Sequence, residues 1–331
     1  MPSTTANNIQ GGLQVYAFES LPAFAPDLPP LNTFTSDFSP MVAGEGVSVT
    51  TAVPTTVFGA LNDLANGWES LAVSSSAVTM TLKTWGHDHK IGVTEFDTIG
   101  QAKIINTFGN IVGKMVANGL SVKVYNNVTS SVFTTTVTIP SSSAFVYAAP
   151  TASLTYLNAT LDNLEIPRAG RYFIANPVAL QAMKASNNLF QALTFGNSSI
   201  VQNGGYSGPN GQIMNSAGTG LFVDGTDIYM SPRLTGATKP LGGDSYGNSD
   251  KMIGFIGNRA GLCVAARASN AFANYPGAIS YNSTEKTSGW PFLFVVFLDG
   301  SVPAWRFGIY SLMGSAAGNT NAILPLLTQS T

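Results

Sequence analysis

The sequence predicts an α+β fold, and three observations carry that prediction. Apolar residues recur with both the helical and the two-residue strand period along the chain. The two kinds of segment follow one another without the regular alternation of a doubly wound parallel sheet. A long β ribbon also runs straight into a helix of about 25 residues, so the period changes at one sharp point.

Taken in order, residues 1–42 contain Pro22, Pro26, Pro29, Pro30 and Pro40 and little periodicity. They read as an extended arm with no core of its own, expected to lie along a neighbour. Residues 43–93 form the ribbon, with Val and Thr alternating around Val47, Val49 and Val53 and again around Val78, Met80 and Leu82. A two-stranded ribbon with one apolar face is at best marginal alone in water. It is therefore expected to lie on another surface, and the expected surface is a second copy of the chain. A short helix is expected near residues 57–64.

Thr94 and Asp97 give a capping-box-like helix start, and Ile104, Phe108, Ile111 and Met115 follow at helical spacing. Gly109, Gly113 and Gly119 each cost that helix roughly 1 kcal/mol relative to Ala, so packing must hold it. Residues 131–139 alternate as a strand that ends at Pro140, and Leu154, Leu157, Leu161 and Leu164 mark one face of a helix that stops before Pro167. Residues 171–175 are a short buried strand. Asn176 and Pro177 then stand as N-cap and first residue of another helix. Residues 196–220 are a Gly/Asn/Ser-rich loop. Strands are expected at 220–223, 228–230 and 252–256, while 261–268 fits either a strand or a helix. The segments 278–281, 292–298 and 304–310 suit a closing antiparallel sheet.

Composition restricts the class. The 331 residues are 44% apolar, enough for a sizeable core. Charged residues make up 10%, against roughly 25% in ordinary soluble domains, so much of the surface is expected to be covered by partners. Residues 1–82 carry six acids and no base, whereas the remainder carries fifteen bases against eleven acids. These opposite signs could attract one copy to another. No basic tail exists to grip nucleic acid tightly. Cys263 is the single cysteine, which excludes an internal disulfide and reads as a small buried hydrophobe. The start of the chain lacks the basic and apolar regions of a secretory signal, and the longest apolar run, 291–298, is too short for a membrane helix. No membrane partner is expected.

Chemical motifs are few. Gly243, Ser245 and Gly247 match G-x-S-x-G, but they lie in a polar loop and both histidines come before them. His87 and His89 alternate on a strand and share a face, yet no third ligand accompanies them. They read as a contact pair with a possible response to pH. The Asn-x-Thr strings at Asn127, Asn158 and Asn282 are ordinary in a chain so rich in Asn and Thr. No acid, base and nucleophile converge, so neither catalysis nor a cofactor or metal is expected. Candidate intersubunit contact residues are Glu45, Lys83, His87, His89, Lys90 and Arg168.

Three strings carry a resemblance: residues 168–177 (RAGRYFIANP), 222–232 (FVDGTDIYMSP), and 294–300 (FVVFLDG) through Arg306-Phe307-Gly308-Ile309-Tyr310. With the order arm, ribbon, long helix, strand and Asn-Pro helix, the chain resembles the major capsid proteins of tailed bacteriophages, which share the Hong Kong 97 phage fold. The resemblance implies an N-terminal arm (1–42) and an extended β loop (43–95). It implies a peripheral domain with a spine helix (96–166), an axial domain (167–268) and closing peripheral strands with the C-terminus (269–331). It further implies self-assembly into hexamers and pentamers of an icosahedral capsid around double-stranded DNA, bound without sequence specificity. The subunit would be assembled in the host cytoplasm and found in the virion. Portal, scaffolding and decoration proteins are partners the family admits. Only some 40 residues precede the ribbon, so no long cleaved scaffolding segment is expected. Lys-to-Asn cross-linking occurs in some relatives, but no matching Asn and carboxylate are evident beside Lys83 and Lys90. An encapsulin-like compartment shell, or a tail or adhesin protein binding a glycan, are the alternatives.

Overall fold

The structure is a computed structural model that describes residues 35–39, 48–54, 75–92, 101–129, 131–139, 154–177, 221–223, 226–231, 234, 250–270, 272, 275, 277–285, 289–299 and 304–329. Strands predominate. They are β1 (Ser36–Asp37), β2 (Ser48–Pro54), β3 (Ser75–Thr81), β4 (Lys83–Gly92), β5 (Val137–Ile139), β6 (Arg171–Ala175), β7 (Leu221–Val223), β8 (Thr226–Met230), β9 (Asp250–Asn258), β10 (Leu262–Arg267), β11 (Ile279–Thr284), β12 (Pro291–Asp299), β13 (Ala304–Ala317) and β14 (Ile323–Gln329). Among the described residues two α-helices accompany them, α1 (Gln101–Tyr125) and α2 (Leu154–Asn163). The mixed class expected from the sequence is the one found.

The first six-stranded sheet is organised by β13, which is long enough to hold three neighbours. Along one edge β4 pairs with Ala304 through Met313. The other edge is shared: β12 takes Ala304 through Tyr310, and β10 takes Leu312 through Ala317. Beyond these, β11 pairs with β12 and β1 lies parallel to β10. The second sheet has the order β5-β14-β9-β6-β8-β7. The boundary expected at residue 268 is therefore crossed: β10 joins the sheet of the closing strands, and β14 joins the sheet of β6 and β9.

Alternation explains where the core lies. On β13 Phe307, Ile309 and Met313 share one face and pack on Val112, Val116, Leu120 and Val124 of α1. Tyr172 and Ile174 of β6 enter the same cluster, so α1 and the first sheet cover one face of the second sheet. Leu154, Leu157 and Leu161 of α2 cover the other face, against Phe173 and Ala175. All five residues of β6 are consequently buried, as a strand covered on both faces must be.

Several expectations change here. The α1 stripe read from the sequence includes Ile111 and Met115, which are 53% and 49% exposed; the buried stripe is the adjacent one at Val112, Val116, Leu120 and Val124. Both stripes have helical spacing, so periodicity alone could not choose between them. The strand expected at 131–139 shortens to Val137–Ile139, the only part that meets β14. The ambiguous 261–268 is strand β10, preceded by a tight turn at Arg259–Gly261. β14 was not foreseen: Pro325 interrupts its apolar run, and it stands just before the segment paired with β5, at Leu326–Thr328.

The ribbon also differs from expectation. β2 and β3 pair as predicted, but Val78, Met80 and Leu82 are buried on Cys263, Ala265 and Leu312 of the same chain. The part of the arm that is described, residues 35–39, is likewise held by its own chain, with the Phe38 amide donating to the Val264 carbonyl at 2.8 Å. A β-rich base beside an apolar sheet face buries more area there than it could in solution. The helices expected near 57–64 and from Pro177 to about 184, the capping-box start at Thr94, and the G-x-S-x-G string lie wholly or mainly outside the described residues.

Candidate functional site

The expected contact residues Lys83, His87, His89 and Lys90 all fall on β4, whose alternation sends them to two faces. Trp85, His87, His89 and Ile91 face α1. The Lys123 ammonium sits 4.1 Å from the centre of the Trp85 ring, a cation–π contact from the last turn of the helix. Trp85, His87, Met115, Gly119, Leu120 and Lys123 border an open cleft of about 170 Å³. His89 lies deeper, stacked on Phe307 with ring centres 5.7 Å apart, because the register sets the two residues opposite each other. Burial, followed by the neighbouring His87, pushes its pKa down to about 4; Asp88 and a backbone hydrogen bond at Phe307 oppose this. His87 and His89 do share a face, but one lines the cleft and the other is packed on an aromatic ring. Among the described residues no group of three His, Cys, Asp or Glu could hold a metal ion.

The opposite face carries an ion network. Arg306 of β13 donates to Asp299 of β12 at 2.9 Å from Nε, with Nη2 at 2.8 Å, and to Asp88 of β4 at 2.8 Å. Lys90 approaches Asp299 at 3.3 Å. Register puts Lys90 directly across from Arg306, a like-charge pair that would repel without the two aspartates. Beside the network Phe272, Tyr275, Phe297 and Tyr310 form an aromatic cluster, with Phe272 and Tyr310 ring centres 4.8 Å apart. The Tyr310 ring lies over Gly86 and Gly308, where an added Cβ would collide with it. Burial, then Asp88, pushes the Tyr310 hydroxyl up to about 12.

Arg168 is held within its own chain. Its guanidinium grips Asp162 of α2, while the side chain remains 64% exposed. The more consequential group is Arg171, which sequence reading passed over as the first residue of a buried strand. Its side chain is 1% exposed. It donates to the Asn158 carbonyl (3.1 Å) and Oδ1 (3.2 Å), to Asp162 (2.6 Å), to the Pro167 carbonyl (3.3 Å) and to the Ile166 carbonyl. Hydrogen bonds from Arg168 and then Arg171 hold the Asp162 carboxyl below its usual range. The spacing of Asn158 and Asp162, one turn apart on α2, was the available signal. Glu45 lies outside the described residues, and Lys83 is exposed at the start of β4.

Two of the three Asn-x-Thr asparagines also find structural roles. Asn127 bonds the Lys123 and Val124 carbonyls and the Ser315 hydroxyl, closing the end of α1. Asn158 is buried against Thr226 and Arg171. No helix among the described residues is long and apolar enough to cross a membrane.

No family model matches the chain, and no curated protein is similar to it in sequence. Solved structures are similar in fold. A structure from Gordonia phage Cozz matches with a TM-score of 0.50 and 14% identity, covering 92% of this chain and 88% of that one. One from Mycobacterium phage Che8 matches with a TM-score of 0.50 and 11% identity, covering 90% of each chain. A capsid structure of the cyanophage P-SCSP1u gives a TM-score of 0.49 at 10% identity, over 92% of this chain and 90% of that one. At such identities the likeness is one of fold, and it extends along nearly the whole chain.

Proposed function

We propose that the chain is a shell-forming subunit of an icosahedral virus capsid, built as hexamers and pentamers around double-stranded DNA. The observation that carries this reading is the architecture: ribbon, long helix, second helix, buried strand and closing strands, in a fold similar to phage proteins over about nine-tenths of the chain. The sequence resemblance supplies the capsid role. Residues 96–166 and 269–331 are read as the peripheral domain and 167–268 as the axial domain, with β10 and β14 exchanged between their sheets. In this reading mechanism is assembly: individually weak contacts between identical subunits gain strength when a lattice closes. The weakly basic remainder of the chain, fifteen bases against eleven acids after residue 82, suits a wall that meets DNA through general electrostatics, without base readout. Catalysis has no part in it.

Negative-stain microscopy of the purified protein is the test. Closed particles are expected, and a chain that stays monomeric under every assembly condition would sink the idea. Nuclease-resistant DNA inside particles supports the capsid, whereas packaged protein cargo would shift the reading to an encapsulin-like compartment. Fibres or trimers would instead favour a tail protein or adhesin. Deleting residues 60–70, between β2 and β3 in the sequence, should leave a folded subunit that does not assemble; normal particles would remove the ribbon from the mechanism.

A further inference from the structure

The outer face of α1 is apolar and carries charge of one sign. The helix holds Lys103, Lys114 and Lys123 and no acid. Ile111, Met115, Gly119 and Lys123 are all exposed and stand four residues apart, so they lie on one ridge of the helix surface. Gly119 breaks that ridge. A glycine costs a helix interior roughly 1 kcal/mol relative to Ala, and a Cβ added at 119 would meet nothing within 4 Å. Packing within the chain therefore does not require glycine there. Its missing side chain instead leaves open the cleft of about 170 Å³ between Trp85 and His87 of β4 and Met115, Leu120 and Lys123 of α1. A cavity of about 150 Å³ holds a benzene ring, so the cleft has room for one Leu- or Phe-sized side chain. Its charge is unbalanced. Lys123 lies on the Trp85 ring, and among the described residues no carboxylate pairs with it.

We infer that this ridge and the cleft beside it receive an acidic amphipathic helix of a separate protein. One apolar side chain of that helix sits in the cleft, others cover Ile111 and Met115, and its carboxylates meet Lys114 and Lys123. The gap at Gly119 lets a facing ridge come close, as ridge-into-groove packing of two helices requires. From Ile111 to Lys123 the ridge spans about 18 Å, so some three turns of partner helix match it. Charge complementarity and the apolar stripe together select the occupant. A DNA backbone would be drawn to the lysines but gains nothing from Ile111 and Met115, whereas apolar anchors with acidic neighbours use both. A second copy fits less well. Neither described helix has a free acidic face, since α1 has no acid and Asp162 of α2 is held by Arg168 and Arg171. The inference does not depend on shell formation.

Selection from a displayed library of random helical peptides of about 16 residues, on the immobilised full-length subunit, tests it. The enriched peptides should carry Asp or Glu around apolar residues spaced three and four apart. Synthesised and labelled, they should bind in fluorescence anisotropy, more tightly at low salt. Gly119→Leu fills the cleft and should weaken that binding by about tenfold or more, with a melting temperature no lower than that of the unaltered subunit. Met115→Ser, at an exposed position, should weaken it in the same direction and leaves Gly119 in place. Three results overturn the inference: no enrichment, enriched peptides without acids, or peptides that bind both variants as well as the unaltered subunit. A labelled DNA duplex whose binding is lost in Lys114→Met/Lys123→Met but kept in Gly119→Leu would assign the face to DNA and overturn the protein partner. Self-association in sedimentation that Gly119→Leu abolishes would assign it to a second copy and overturn it likewise. Each of these failures leaves the particles seen by microscopy, and so the shell reading, as they were.

Discussion

Arg171 and Arg306 each bind an aspartate pair or its equivalent, but they stand in opposite surroundings. Arg171 is enclosed between α2 and the second sheet, with five acceptor contacts converging on it. Arg306 lies on the open face of the first sheet, its side chain 28% exposed, bridging Asp88 and Asp299. The second sheet is thus covered on both faces and carries charge inside, fully paired. The first sheet leaves most of its border strand β4 open to solvent and carries its ion network there, on the face away from α1, although Phe292 to Phe297 of β12 are buried on both faces. The contrast separates a scaffold from a surface: buried charge cannot be rehydrated when a partner is lost, whereas exposed charge can.

The sharpest way to break this comparison is to truncate both arginines. Arg171→Met should cost about 3 kcal/mol in denaturant unfolding of the unassembled subunit, because buried acceptors at Asn158, Ile166 and Pro167 lose their donor. Arg306→Met should lower stability far less, since water replaces what is lost. Equal losses for the two variants would erase the distinction between the sheets.

Protonation probes the first sheet at His89, where β4 packs its ring on Phe307 of β13. The unfolded side chain takes its proton near pH 6.5, but the folded one only near about 4. Between these values the unfolded chain holds more protons, so stability falls as pH drops from 6.5 toward 4 and is unaffected above 6.5. Allowing for partial exposure, the loss should be about 1 kcal/mol, read as a melting temperature that declines over that window. His89→Phe, which keeps the stack on Phe307, should flatten this dependence.

The smallest effect is expected at the end of α2. Glu165 adopts φ of 60° and closes a Schellman turn, with Glu165 N–H bonded to the Asp162 carbonyl and Ile166 N–H to the Leu161 carbonyl. Glu165→Gly should stabilise the subunit by about 0.5–1 kcal/mol in the same unfolding experiment. This would sharpen the picture of the α2 side as a rigid scaffold that still carries local strain.

Local signals were read well where a segment's partners lie close in sequence or its pattern has one solution. β6 was legible to the residue, because a short apolar run between Gly170 and Asn-Pro has few alternatives. α2 followed from its leucines and Pro167. The contact residues were less legible. Lys90 and Arg168 have charged partners within the chain, Asp299 and Asp162, and only the fold puts Asp299 beside Lys90. The buried arginine hub was visible only as a residue type at a strand start, since Asn158 and Asp162 become its partners through the packing of α2 on β6.

The sequence by itself determined the α+β class, most strand and helix positions, the scarcity of charge and the pairing of the ribbon. These depend on period, turn chemistry and composition, which neighbouring residues fix. Tertiary structure decided which stripe of α1 is buried, that β10 and β14 join sheets distant in sequence, and that the ribbon base lies on its own chain. Those outcomes depend on pairing and burial between segments up to 200 and more residues apart, such as Ser36 with Cys263. A two-residue period says which face a side chain takes, but not which strand will lie beside it.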